Sequence, residues 1–133
     1  MNTVKIATLI AMCLSSSVVF GATTTQEIAA ECTTKGTNLN GTRESCDSEI
    51  TRITAPENHV FSEKTLQGGE TAGRGSEHEC RLGWENYVEV VPGSEIYQPR
   101  TMTLQAHARS PRHHIGSRGL AKCRYTVKVT KYK

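Results

Sequence analysis

Two stretches decide the fold: "RTMTLQAHAR" (100–109) and "AKCRYTVKVT" (121–130). In the first, Met102, Leu104, Ala106 and Ala108 alternate with Thr101, Thr103, Gln105, His107 and Arg109. In the second, Ala121, Cys123, Tyr125, Val127 and Val129 alternate with Lys122, Arg124, Thr126, Lys128 and Thr130. Side chains on a strand point alternately to its two faces, so this period of two predicts two strands, each with one apolar and one wet face. Joined by "SPRHHIGSRG" (110–119), they are expected to form a long C-terminal hairpin over about 100–131. One register that puts both apolar faces on the same side pairs Ala108 with Ala121, Ala106 with Cys123 and Leu104 with Tyr125.

Working back along the chain, "CRLGWENYVEVVPGSE" (80–95) holds a β-branched and aromatic run, Tyr87 to Val91, closed by a Val-Pro-Gly turn signal. Trp84, the single tryptophan, is read as core packing near Cys80. "NHVFSEKTLQ" (58–67) is a further strand, and the glycine-rich "GGETAGRGSE" (68–77) is read as a flexible linker after it. That linker lacks the residue order and the strand–helix setting of a phosphate-cradling loop. "SEITRITAP" (48–56) suits a helix turn or a short strand, and "TQEIAAECTTKG" (25–36) a short N-terminal helix or an irregular segment pinned by Cys32. The expected fold class is mainly β: a small antiparallel sandwich or barrel with one short helix at most.

The chain opens on "MNTVKIATLIAMCLSSSVVFGA" (1–22), with one charge at Lys5, an apolar run from Ile6 to Phe20 and then small residues. This is the layout of a secretory signal peptide cleaved after Gly21 or Ala22; the run is too short to span a bilayer comfortably. A lipoprotein reading through Cys13 fails on bulky Met12. The expected organisation is a signal peptide, 1–22, and one exported domain, 23–133, extracellular or periplasmic.

Export leaves Cys32, Cys46, Cys80 and Cys123. Four cysteines in a small exported chain read as two disulfides with three pairings open. Cys32–Cys46, closing a short polar loop, and Cys80–Cys123, tying mid-chain to the last strand, are favoured. A zinc site is the rival reading, but no Cys-x-x-Cys pair is present. With aromatic residues at 5% the core is lean, so the disulfides should matter for stability. Asn40-Gly41-Thr42 is a glycosylation acceptor in a eukaryotic host.

The formal charge of +3 hides a division. Residues 22–99 carry thirteen acidic and six basic side chains, whereas residues 100–133 carry nine basic and no acidic ones. Such asymmetry points either to an anionic partner or to basic strands lying beside acidic ones.

Three chemistries compete for the 110–119 loop. Anion contact would use Arg109, Arg112, His113, His114 and Arg118 with Lys122 and Arg124, since guanidinium forks match phosphate, sulfate and carboxylate and histidine gains charge on acidification. The scarcity of aromatic residues argues against stacking of single-stranded nucleic acid, leaving an acidic protein surface, an acidic glycan or a phosphorylated lipid. Catalysis, as a small secreted nuclease, would draw on His107 with His113 or His114, though no recognised catalytic motif is present and consecutive histidines on an extended chain point apart. Metal binding by His59, His78, His107, His113, His114, Glu77 or Glu79 is opposed by the surrounding arginines and the lack of helical ligand spacing. The expected function is therefore a non-enzymatic interaction domain without cofactor or metal, such as an adhesin-like module, an effector or an inhibitor. A subunit that assembles through an edge strand is a further class, which the lysine-rich "TKYK" (130–133) argues against.

Overall fold

The structure is a computed structural model, and it describes residues 24–133. The predicted signal peptide lies outside the described residues. Seven strands are present: β1 (Thr24–Thr33), β2 (Ser45–Asp47), β3 (Thr51–Thr54), β4 (His59–Arg74), β5 (Glu77–Glu89), β6 (Tyr97–Arg109) and β7 (Leu120–Lys131). They form two antiparallel sheets. One runs β1-β7-β4; in the other, β6 is flanked by β2 and β3 on one side and by β5 on the other.

The alternating stretches are strands, but they do not pair with each other. β7 sits between β1 and β4, so that Ala121 lies opposite Cys32 and Gly73. β6 is the centre of the second sheet, with Ala108 opposite Cys46 and His78. The expected β6–β7 hairpin is thus replaced by an arch from one sheet to the other. The cause is plain in the pattern: a strand with one apolar face can bury it beside its partner over a common core or opposite it across that core. The outcome here is the second. Met102, Leu104, Ala106 and Ala108 of β6 meet Ala121, Cys123, Val127 and Val129 of β7, with Ile28 of β1 and Phe61 of β4, in one buried cluster. Burying a large side chain of this kind contributes about 1.5–3 kcal/mol. The hairpin of the molecule is β5–β6, from Glu77↔Arg109 to Glu89↔Tyr97, closed by residues 90–96.

Other segments differ from expectation as well. Residues 24–33 are strand, not helix: Ile28, Ala30 and Cys32 point inward in alternation, and β7 supplies ten backbone partners. "SEITRITAP" contributes β3 along β6. The glycine-rich stretch is the second half of β4, with register shifts between Ser62 and Gln67 and between Glu70 and Ala72. A Cβ on Gly68, whose φ is +120°, would stand 2.2 Å from the Arg124 carbonyl oxygen, so glycine is what lets this strand reach β7.

Both favoured disulfides are present, Cys32–Cys46 and Cys80–Cys123. Each joins one sheet to the other: β1 to β2, and β5 to β7. Trp84 packs on the core beside Phe61, ring centroids 6.0 Å apart, on the inward face that it shares with Cys80. Two intramolecular disulfides are compatible with an oxidising extracellular setting. No helix among the described residues is long and apolar enough to cross a membrane.

Candidate functional site

The 110–119 segment is an ordered arch zipped to the 34–44 loop. Ser110 and Thr37 are buried at its base. The Thr37 hydroxyl donates to the Pro111 carbonyl at 2.6 Å and lies 2.8 Å from Ser110 Oγ, which accepts from the Glu44 N–H at 2.8 Å. Backbone bonds continue the zip: Thr34 N–H to Gly119 O, Thr37 N–H to Ser117 O, and Gly116 N–H to Thr37 O. The β4–β5 turn joins it through Ser76, whose N–H donates to Arg109 O and whose hydroxyl donates to Ser110 O. Glycine allows this closeness. A Cβ on Gly36 would sit 2.7 Å from the Gly116 backbone, and one on Gly119 2.6 Å from that of Arg109. Buried hydroxyls and backbone pairing together fix the arch, and Arg112, His113, His114, Ile115 and Arg118 stand exposed on it. His113 holds a left-handed backbone, φ 63°, at the tip, a conformation a non-glycine residue adopts at a cost.

The predicted binding residues do not share one surface. Arg109 faces outward from the β5–β6 sheet, whereas Lys122 and Arg124 face outward from the other sheet. Arg124 Nε lies 3.3 Å from Glu27, and Lys122 is cross-strand from Glu31. With Ala29, Glu31 and Thr71 these two cations line a depression of about 590 Å³. Arg100, the first residue of the basic segment, is spoken for: its guanidinium donates to the carbonyls of Ala55, Pro56 and His59.

His107 is held by two carboxylates. Nδ1 is 2.8 Å from Asp47 and Nε2 3.1 Å from Glu77, and the side chain is only 12% exposed. The Glu77 hydrogen bond, with a further one from Asp47, raises its pKa against partial burial, and the same bond lowers that of Glu77. Both ring nitrogens of His107 are thus engaged by carboxylates, whereas His113 and His114 stand exposed on the arch. Elsewhere His59 Nδ1–H donates to the Glu57 carbonyl at 2.8 Å and His78 pairs with Glu70 at 2.8 Å.

What the structure does bring together is a cluster that linear reading missed. Arg43 is pushed down from the ordinary arginine range by partial desolvation and by the neighbouring guanidiniums of Arg109 and Arg112, with Glu77 opposing. Glu77 already serves His107 and, at 3.5 Å, Arg109, and the Arg109 Nε is buried with no hydrogen-bond partner. Arg43 lies in the acidic part of the chain, and nothing in its local sequence sets it apart. Across the three segments of this end, 34–44, 74–77 and 109–119, six cations (Lys35, Arg43, Arg74, Arg109, Arg112, Arg118) face two anions (Glu44, Glu77), a net of +4.

Fold and site together define a small disulfide-stapled β-sandwich with a rigid basic end. No protein-family model, curated protein or solved structure matches this chain.

Proposed function

We propose that the protein is a non-enzymatic, exported recognition domain that binds an anionic macromolecule through the basic end of its sandwich. The observation that carries this reading is the gathering of three hydrogen-bonded segments, 34–44, 74–77 and 109–119, that together hold six cations against two anions. Like charges held together cost free energy in the free protein, and an anion placed among them relieves that cost. Guanidinium forks supply the matching geometry for phosphate, sulfate or carboxylate groups. Arg118, His113 and His114 extend the surface, while Lys122 and Arg124 fall outside it. The arch is fixed by its buried hydroxyls, so little ordering entropy is lost on binding.

The test is retention of the oxidised protein on immobilised heparin across a salt gradient, beside the R43S/R112S/R118S variant. Each basic residue at an anionic surface contributes about 1 kcal/mol, so the triple variant should bind roughly 100-fold more weakly at physiological salt. Equal, early elution of both proteins would refute the reading.

A further inference from the structure

The basic end also carries exposed apolar side chains. Leu39 is 86% exposed, more than the other exposed large hydrophobic residues among those described, and Ile115 is 58% exposed. Both belong to the zipped loops: Ile115 bridges Thr37, and Leu39 follows two residues later. Leu39 is not on a floppy loop. It sits on the turn from Asn38 to Gly41, where the Gly41 N–H donates to the Asn38 carbonyl at 2.9 Å and the Thr42 N–H to Asn38 Oδ1 at 3.0 Å. In "TKGTNLNGTRE" (34–44) it is the only large apolar residue, and it points to water.

We propose that this end docks on an anionic lipid bilayer: Leu39 and Ile115 enter the boundary between headgroups and acyl chains, and Arg43, Arg112 and Arg118 engage the lipid phosphates. The proposal rests on the anion-recognition reading above and names its partner. A soluble polyanion offers nothing apolar to Leu39 and Ile115. A protein partner would need a complementary surface, and two protruding side chains make a small apolar core for a stable protein interface. A bilayer accepts protruding tips without shape complementarity, and apolar burial combined with charge attraction gives reversible attachment. The opposite end of the sandwich is also apolar, with Val91, Ile96 and Tyr97 exposed. Its 90–96 connection, however, carries Glu95 and no cation, and Glu89 stands beside it. Lys133 lies beside it as well, so that end lacks a comparable surplus of cations.

The experiment is co-sedimentation with phosphatidylcholine vesicles, with and without about one-third phosphatidylserine. It uses the exported domain expected from the sequence, 23–133, made without a glycan at Asn40 because that residue adjoins Leu39. Wild type should bind the anionic vesicles and not the neutral ones. L39S/I115S should lose roughly 30-fold or more in vesicle partitioning, as expected for two apolar side chains no longer buried, while its heparin retention is unchanged. V91S/I96S should bind as wild type. Vesicle binding by L39S/I115S equal to wild type, or an equal loss in V91S/I96S, overturns the membrane proposal. Wild type that binds heparin but not vesicles also overturns it and leaves the anion reading standing. Wild type that binds neither overturns both.

Discussion

His107, held between Asp47 and Glu77, couples stability to pH. Its pKa is raised above the ordinary 6.5, first by the bond to Glu77, with Arg81 opposing. Its contribution is therefore complete below the unfolded value and is lost as pH rises through the folded one. Glu77 moves the other way, held down first by His107 and then by Arg109, so its contribution is lost as pH falls through its depressed pKa. The pair stabilises between those limits. Thermal melts from about pH 5.5 to about pH 8.5 should show wild type losing stability at the alkaline side and H107Q a flatter profile. Because both carboxylates are about half exposed, H107Q should cost only about 1 kcal/mol at the acidic side. An identical pH slope in both proteins would mean that the bonds are not formed in solution.

At the scale of elements, the strands that alternate strictly were legible, and so were the disulfides, because four cysteines leave few choices. Which sheet each strand joins was not. Alternation in 101–109 and 121–130 states which side chains are buried, and a hairpin and a sandwich bury the same ones. Ile28 and Cys32 lie four apart and suit a helix as well as a strand; β7's free edge decides for the strand. The glycines of 68–75 read as a linker because their reason, contact with the β7 and β6 backbones, lies far away in sequence.

Two predictions follow from how the elements are joined. In the chain-entropy view, losing the disulfide that spans 43 residues (C80A/C123A) should cost about 4 kcal/mol, and losing the 14-residue one (C32A/C46A) about 3 kcal/mol, by urea unfolding. Equal melts with and without reductant would contradict this. G36A drives a methyl group into the Gly116 backbone and should cost about 1–3 kcal/mol. Hydrogen exchange should localise the damage, with the Thr37 and Gly116 amides exchanging faster while those of central β6 stay protected. Uniform protection in G36A would show that the zip is not where the two loops meet.

For the whole molecule, the split between an acidic and a basic part of the chain is offset in part by antiparallel packing. Glu27 meets Arg124, Asp47 and Glu77 meet His107, and Glu77 meets Arg109. At one end a surplus of cations remains, where Arg43 and Arg74 from the acidic part join Arg109, Arg112 and Arg118. The basic character of 110–119 was legible in the sequence; its partner Arg43 and the exclusion of Lys122 and Arg124 depended on which sheet each strand enters. The most direct test of the central claim compares the salt dependence of heparin binding for wild type, R43S/R112S/R118S and K122S/R124S. The account predicts that the loop-end variant loses both affinity and salt slope while the sheet-face variant keeps both. A loss confined to K122S/R124S, or shared equally by the two variants, would contradict it.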